Sequence, residues 1–209
     1  MPRLAVLDLD GTLVDSLDDL ADSVNHALAA VGLPPRSRAE IRTYVGEGAR
    51  LLLSRAVAPQ DHLVEAALAA WRPHYEAHCL DRTRPYPGIE ALLAGAGRVL
   101  AVQTNKPGAL ARKILAGLGL LPRLAAVLGG DEVPRKPDPA GVIEIMARVG
   151  ATPPETVFVG DSPIDVLAAR AAGVSHVGVT WGLGSRADLL RAGATVLVDS
   201  AAELAPHLA

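Results

Sequence analysis

The chain has 209 residues, a net charge of −3 and a hydrophobic fraction of 50%, enough for the core of one large domain or of one domain with an insert. The acidic balance and an aromatic fraction of 3% argue against a nucleic-acid partner, which requires a basic face or stacking rings. The single cysteine excludes an intramolecular disulfide and no apolar stretch is long enough to span a membrane, so we expect a cytoplasmic protein without a membrane partner.

Short, nearly continuous apolar runs predict six strands that are buried on both faces. These runs cover residues 4–9, 99–103, 125–128, 156–159, 176–180 and 195–198. Helices are predicted between most of them, at residues 107–118, 138–149 and 163–172, with proline near a helix start and glycine beyond its end. Strands and helices alternating at this spacing indicate an α/β fold with a doubly wound, Rossmann-like parallel sheet.

The interval between the first and second predicted strands has no strand pattern. Residues 16–31 carry one apolar stripe, a capping-box pattern begins a second helix at Ser37, and residues 49–57 and 62–78 continue as helices, the last bent or restarted at Pro73. The sequence therefore predicts a helical insert at residues 15–82 and a core made of residues 1–14 and 83–209.

Polar side chains follow four of the predicted strands at their carboxyl ends, which lie at one edge of a parallel sheet. In chain order they are Asp8, Asp10, Thr12, Thr104, Asn105, Lys136, Asp161, Ser162 and Asp165. Polar side chains at the ends of four separate strands indicate a binding or catalytic site.

A buried carboxylate at Asp8, inside an apolar run, requires a nearby cation. Asp8 and Asp10 leave an extended chain on the same face, and Asp161 is the natural third ligand. Converging carboxylates suit a hard divalent cation, and we expect Mg²⁺.

A Mg²⁺ ion with few protein ligands binds substrate phosphate, and Lys136 adds a second positive charge. Thr104 and Asn105 can donate to phosphoryl oxygens, or they can cap the helix predicted from Pro107. Because a carboxylate is the only well-placed nucleophile, the pattern predicts phosphoryl transfer.

Four segments carry a resemblance to the haloacid dehalogenase superfamily of aspartyl-phosphate hydrolases. They are residues 8–12 (Asp-Leu-Asp-Gly-Thr), 104–106 (Thr-Asn-Lys), 135–139 (Arg-Lys-Pro-Asp-Pro) and 160–165 (Gly-Asp-Ser-Pro-Ile-Asp). Within the superfamily, residues 44–48 (Tyr-Val-Gly-Glu-Gly) and 129–132 (Gly-Gly-Asp-Glu) are similar to those of the phosphoglycolate phosphatases.

The resemblance implies a role for each matching position. Asp8 would be the nucleophile, and Asp10 would protonate the leaving alkoxide and then activate water. Thr104, Asn105 and Lys136 would hold the phosphoryl group. The metal would be bound by Asp8, the Asp10 backbone carbonyl and Asp161, with Ser162 and Asp165 supporting these ligands.

The resemblance also implies that the helical insert is a mobile cap that closes over the substrate. Gly46 and Arg50 are its candidate specificity residues, although Arg50 also fits a solvated helix position.

The expected activity is Mg²⁺-dependent hydrolysis of a small phosphorylated metabolite, 2-phosphoglycolate above others, by a monomer or homodimer. A pyrophosphatase and a phosphosugar phosphatase or mutase remain open, because they use the same core residues. A non-enzymatic phospho-acceptor domain is a remote alternative, since such domains are shorter and order their motifs differently. A dehalogenase is disfavoured by Asp10, and a phosphonate hydrolase by the lack of lysine in the insert.

Overall fold

The structure is a computed structural model and describes residues 3–209. The strands within this range are β1 (Leu4–Leu7), β2 (Val14–Asp15), β3 (Arg84–Pro85), β4 (Val99–Gln103), β5 (Ala126–Leu128), β6 (Thr156–Gly160), β7 (Ser175–Val179) and β8 (Leu197–Val198). Six of them form one sheet in the order β5-β4-β1-β6-β7-β8, in which every neighbouring pair is parallel. The predicted α/β fold is therefore confirmed.

Helices occupy most of the chain between the strands. They are α1 (Leu17–Ala30), α2 (Arg38–Tyr44), α3 (Ala49–Val57), α4 (Val64–His78), α5 (Ile89–Gly95), α6 (Gly108–Gly117), α7 (Ala140–Val149), α8 (Pro163–Ala171), α9 (Arg186–Ala192) and α10 (Ala201–Leu208). The short helices α5, α9 and α10 are not predicted by the sequence patterns. Among residues 3–209, no helix has the length and apolar character that crossing a membrane requires.

Both faces of the central sheet are buried, which explains why its strands are continuously apolar. Leu4 and Val6 pack with Phe158 on one face of β1. Ala5 and Leu7 belong to a different apolar cluster on the opposite face. This alternation is the period of two expected for a strand that is covered by helices on both sides.

The first strand is shorter than predicted, because β1 ends at Leu7 rather than at residue 9. The Asp8 N–H still bonds the Val159 carbonyl at 2.9 Å, so Asp8 continues the line of the strand. The chain then turns at Gly11, which has a φ of 85°. The two acidic residues Asp8 and Asp10 thus lie at the carboxyl edge of the sheet.

Val24, Leu53, Trp71 and Tyr75 of the helical insert belong to an apolar cluster that also includes Ile114 of α6. Of the two outcomes predicted at Pro73, a bend or a restart, the restart does not occur, because helix α4 is continuous through this proline. The residues on either side of this proline, Trp71 and Tyr75, are 2% and 0% exposed. Their packing outweighs the one helical hydrogen bond that proline cannot make.

The prediction that no strand lies between the first and second predicted strands is wrong. Strands β2 and β3 pair antiparallel, with Val14 opposite Pro85 and Asp15 opposite Arg84. Two-residue strands carry no periodic pattern, so the sequence does not reveal them. This ribbon joins the two connections of the insert, at residues 14–15 and 84–85. Met1 and Pro2 of the predicted core lie outside the described residues.

Candidate active site

The carboxyl edge of the sheet brings three carboxylates around one lysine. The ligand oxygens of Asp8, Asp161 and Asp165 all lie within 4.8 Å of one another. The Lys136 Nζ lies 2.7 Å from an oxygen of Asp8 and 2.7 Å from an oxygen of Asp165. All four residues are buried. The side chains come from segments that follow β1, β5 and β6, as the strand-end pattern predicts.

Asp161 is held by hydrogen bonds from two directions. Its Oδ1 accepts from the Thr12 hydroxyl at 3.1 Å. Its Oδ2 accepts from the Leu183 and Gly184 N–H groups at 2.7 and 3.1 Å. Gly11 lies so close that a Cβ at this position would be 2.3 Å from Oδ2. Glycine is therefore required at position 11 by both its positive φ and its contact with Asp161.

Asp165 serves both the helix start and the lysine. At the start of α8, its Oδ2 accepts from the Ser162 N–H at 3.0 Å and from the Ser162 hydroxyl at 2.5 Å, which closes a capping box. Its Oδ1 accepts from Lys136 at 2.7 Å. The capping box thus fixes the carboxylate that orients Lys136.

Burial and mutual repulsion make the carboxylate cluster electrostatically unfavourable. Burial raises the pKa of Asp8 to about 8, with Lys136 opposing the shift and Asp165 and Asp161 adding to it. Burial and the neighbouring Asp165 raise the pKa of Asp161 to about 6. For Lys136, burial lowers the pKa but Asp165 and Asp8 outweigh it, so the net shift is upward and the ammonium stays charged. One ammonium cannot neutralise three carboxylates.

The donor set fits a divalent cation. It consists of carboxylate oxygens, which hard cations such as Mg²⁺ prefer. The excess negative charge of the buried cluster is the charge that such a cation neutralises. The side chain of Asp10 is not one of the three, so its contribution to the metal through the backbone carbonyl stays a prediction.

The Asp10 carboxylate is held by a second buried lysine. Lys106 Nζ donates to both Asp10 oxygens, at 2.6 and 2.8 Å, and to the Tyr75 hydroxyl at 2.9 Å. Ser16 Oγ donates to Asp10 Oδ1 at 2.5 Å. Lys106 lies in the Thr-Asn-Lys segment, but the sequence assigns it no role. Because Tyr75 belongs to α4, this network links the helical insert to Asp10.

Thr104 and Asn105 do not cap the following helix. The Gly108 N–H at the start of α6 is bonded by Asp131 Oδ1 at 2.7 Å instead. The Asn105 side chain accepts from the Lys136 N–H at 2.8 Å and donates to the Lys136 carbonyl at 3.1 Å. Asn105 therefore fixes the backbone that carries Lys136, while the buried Thr104 lines a cavity beside Asp8.

Two cavities beneath the helical insert are both lined by Asp8 and Asp10. The smaller has a volume of about 40 Å³ and lies between Thr104 and Lys106 on one side and Trp71 on the other. The larger has a volume of about 420 Å³ and extends past Asp161 to Arg42 and Arg55. Asp8, Asp10, Val45 and Gly46 line both cavities.

Gly46 and Arg50, the two candidate specificity residues of the insert, lie in different surroundings. Gly46 lines both cavities, and its carbonyl accepts from Asn105 Nδ2 at 3.1 Å. Arg50 is 63% exposed at its side chain, pairs with Glu65 and lines neither cavity. The geometry thus brings Gly46 to both of these cavities, whereas Arg50 lines a third space of about 260 Å³, which Lys136 also lines.

Sequence reasoning misses three insert residues at the site. Trp71 and Tyr75 are spaced as core residues of an amphipathic helix, so no signal separates them from packing residues. Arg42 donates to the Gly182 and Leu183 carbonyls at 2.7 and 3.0 Å. Because the Leu183 N–H bonds Asp161, Arg42 joins α2 to the loop that holds this carboxylate.

The chain resembles known proteins over nearly its whole length. A family model described as haloacid dehalogenase-like hydrolase matches residues 5–179. The chain belongs to this haloacid dehalogenase-like hydrolase family. It is 41% identical to the phosphoglycolate phosphatase of Rhodospirillum rubrum, covering 100% of this chain and 91% of that protein. It is 38% identical to phosphoglycolate phosphatase 1 of Pseudomonas aeruginosa, covering 99% of this chain and 79% of that protein.

A solved structure shows the same fold. The crystal structure of a predicted phosphoglycolate phosphatase from Haemophilus somnus superposes with a TM-score of 0.92 at 32% identity, covering 98% of this chain and 97% of that one. Together with the relatives, this likeness indicates that this haloacid dehalogenase-like hydrolase is a phosphatase.

Proposed function

We propose that the protein hydrolyses 2-phosphoglycolate in a Mg²⁺-dependent reaction that passes through an aspartyl-phosphate on Asp8. The observation that carries this proposal is the Asp8 carboxylate, paired with Lys136 at 2.7 Å and located where two cavities meet. The substrate is taken from the names of the relatives, several of which are phosphoglycolate phosphatases.

The proposed metal ligands are Asp8, Asp161 and the backbone carbonyl of Asp10. When bound, Mg²⁺ would neutralise charge on the phosphoryl oxygens and on the buried carboxylates. Asp165 and Ser162 would support this set from outside, through the capping box and the contact with Lys136.

In the first proposed step, Asp8 attacks phosphorus and the bond to the leaving oxygen breaks. Asp10 gives the leaving alkoxide a proton. Lys136 and Thr104 stabilise the phosphoryl oxygens, and Asn105 holds the backbone of Lys136 in register. In the second step, water attacks the phosphorus of the aspartyl-phosphate, Asp10 accepts its proton, and phosphate leaves from a regenerated Asp8.

We propose that residues 15–82 act as the cap of this site and residues 1–14 and 83–209 as its catalytic core. The insert contacts the core through Arg42, Gly46 and Tyr75, each close to a residue with a proposed role. Closure of the cap would exclude bulk water from the aspartyl-phosphate. We place the protein in the cytoplasm, as a monomer or homodimer that acts on a metabolite.

A substrate panel tests the proposal. Phosphate release would be measured with and without Mg²⁺ for 2-phosphoglycolate, phosphosugars, nucleotides and pyrophosphate. We expect 2-phosphoglycolate to have the highest kcat/KM, with no turnover in EDTA. Asp8→Asn should abolish release, whereas the matched change Asp22→Asn, at an exposed ion pair with Arg82, should leave it unchanged. Full activity of Asp8→Asn would refute the mechanism, and a preference for pyrophosphate or a phosphosugar would refute the substrate.

A further inference from the structure

The ammonium group of Lys106 is surrounded by as many acceptor atoms as it has N–H donors. It donates to Asp10 Oδ1 at 2.6 Å, to Asp10 Oδ2 at 2.8 Å and to the Tyr75 hydroxyl at 2.9 Å. The Lys106 side chain is 4% exposed. A lysine ammonium is a rotor on a flexible four-carbon stem, so acceptors for all three donors fix both its position and its rotation.

Tyr75 is the member of this network that the helical insert supplies. It lies in the last turn of α4, is 0% exposed and stacks on Trp71 with ring centroids 4.8 Å apart. The centre of its ring lies 4.9 Å from Lys106 Nζ. Burial raises the pKa of the Tyr75 hydroxyl, so the group stays neutral. The packing of the insert therefore holds a neutral acceptor against the core lysine.

The other end of the network is the carboxylate that faces the substrate. Asp10 lines both cavities, and its side chain is 13% exposed. Its Oδ1 accepts from the Ser16 hydroxyl as well as from Lys106, whereas among the described residues its Oδ2 accepts from Lys106 alone. The direction of the Asp10 carboxyl group thus depends on where Lys106 holds its ammonium.

We propose that Tyr75 is a positioning residue for Asp10, whose hydroxyl acts through Lys106 to fix the direction in which the Asp10 carboxyl group meets the leaving oxygen. This role rests on the proposed function, in which Asp10 is the general acid. Because Tyr75 belongs to α4, the insert then supplies part of the alignment of the acid in addition to covering the site.

A purely structural role is the alternative, because a buried ammonium needs hydrogen-bond partners for stability alone. Tyr75→Phe separates the two roles, since it removes the hydroxyl and keeps the ring that stacks on Trp71 and contacts Lys106. A structural role predicts a lower unfolding temperature and equal losses of activity for all substrates. A positioning role predicts losses that grow with the need of the leaving group for a proton.

The assay compares kcat/KM for ethyl, trifluoroethyl and p-nitrophenyl phosphate, because kcat/KM reports the step in which the leaving oxygen departs. We expect Tyr75→Phe to lower the value for ethyl phosphate about three- to tenfold beyond its effect on p-nitrophenyl phosphate, with trifluoroethyl phosphate between them. This is a part of the about 10²–10⁴-fold that general acid–base catalysis contributes, since Lys106 keeps its two contacts with Asp10. Equal losses for the three esters would overturn the proposal.

Two further variants calibrate this effect. Asp10→Asn should show the same dependence on the leaving group at its full size. Tyr44→Phe makes the same chemical change at a half-buried tyrosine of the insert that lines neither of the two cavities, and it should leave all three values within about twofold of wild type.

A double-mutant cycle tests whether Tyr75 acts through Lys106. When Lys106 is changed to Met, the hydroxyl of Tyr75 has no ammonium to hold. Adding Tyr75→Phe to Lys106→Met should therefore change the ratio of the ethyl to the p-nitrophenyl value by less than about twofold. A change in this ratio as large as in the wild-type background would show that Tyr75 does not act through Lys106, and would overturn the proposal.

The proposed function and the role of Tyr75 fail in distinguishable ways. If the substrate panel favours pyrophosphate or a phosphosugar, the choice of 2-phosphoglycolate fails, whereas the comparison of the three esters still decides the role of Tyr75. If Asp10→Asn depends on the leaving group and Tyr75→Phe does not, the role of Tyr75 fails and the proposed function stands. If neither variant depends on the leaving group, the acid role of Asp10 fails together with that of Tyr75.

Discussion

Removing Mg²⁺ should destabilise the protein more at pH 8 than at pH 5. Asp8 and Asp161 have folded-state pKa values of about 8 and about 6, raised by burial and by neighbouring carboxylates. A carboxyl with a raised pKa binds more protons in the folded chain than in the unfolded one. The metal-free protein therefore loses stability as the pH rises from near 4 towards these values. A bound divalent cation compensates the charge and suppresses this loss.

The magnitude follows from the two pKa values. The pKa of Asp161 rises from 3.8 in the unfolded chain to about 6 in the folded one, which lowers the free energy of unfolding by about 1 kcal/mol between pH 5 and pH 8. The pKa of Asp8 rises from 3.8 to about 8, which lowers the free energy of unfolding by about 4 kcal/mol over the same range. For a chain of this size the sum corresponds to an unfolding-temperature difference on the order of 10 °C. Burial lowers the pKa of His176 to about 4, which affects the EDTA and Mg²⁺ samples alike and cancels in their difference.

The assay is thermal unfolding at pH 5, 6.5 and 8, in EDTA and in Mg²⁺. The stabilisation by Mg²⁺ should grow with pH. Asp161→Asn should reduce this growth and should make the metal-free protein more stable than wild type at pH 8. Its amide oxygen can still accept from Leu183 and Gly184, and its amide nitrogen can donate to the Thr12 hydroxyl. Stabilisation by Mg²⁺ that is independent of pH, or larger at pH 5, would refute the reasoning.

Two further predictions concern the contacts between the insert and the core. Lys106→Met removes the two hydrogen bonds that orient the Asp10 carboxyl group. If Asp10 is then no longer directed at the leaving oxygen, kcat/KM for alkyl phosphates should fall about tenfold or more beyond the loss for p-nitrophenyl phosphate, whose leaving group needs no proton. Lys106→Arg should recover part of the difference, and equal losses would contradict the role given to Asp10. Arg42→Gln removes the contact of Arg42 with the Gly182 and Leu183 carbonyls and should lower phosphate release several-fold. The unfolding temperature should stay within about 2 °C of the wild-type value, because a partly exposed polar contact contributes about 1 kcal/mol or less to stability. Unchanged phosphate release would show that the contact does not support Asp161.

The sequence predicts the sheet because its strands are defined by local composition. Continuous apolar runs appear only where both faces are covered, and β4 matches its predicted bounds. The sequence predicts the ends of strands less well than their centres. Strand β1 ends at Leu7, two residues before its predicted end, because the chain leaves the sheet to form the turn at Gly11. The β2–β3 ribbon could not be predicted, since two residues carry no period.

The sequence also predicts which side chains gather at the sheet edge, but not how they pair. Parallel strands bring their carboxyl ends together whatever the details of packing, which places Asp8, Lys136 and Asp161 in one site. The pairing of Asp10 with Lys106 depends on side-chain directions 96 positions apart in the chain. No local pattern encodes such a contact.

The chemistry of this protein is thus determined by its sequence, because residue type, order and strand position are local properties that four short segments already contain. The tertiary structure alone decides the shape of the space above Asp8, because that shape depends on how the insert packs against the core. Trp71 illustrates the division: its spacing on α4 predicts a core residue, and only its packing reveals that it lines a cavity together with Asp8 and Asp10.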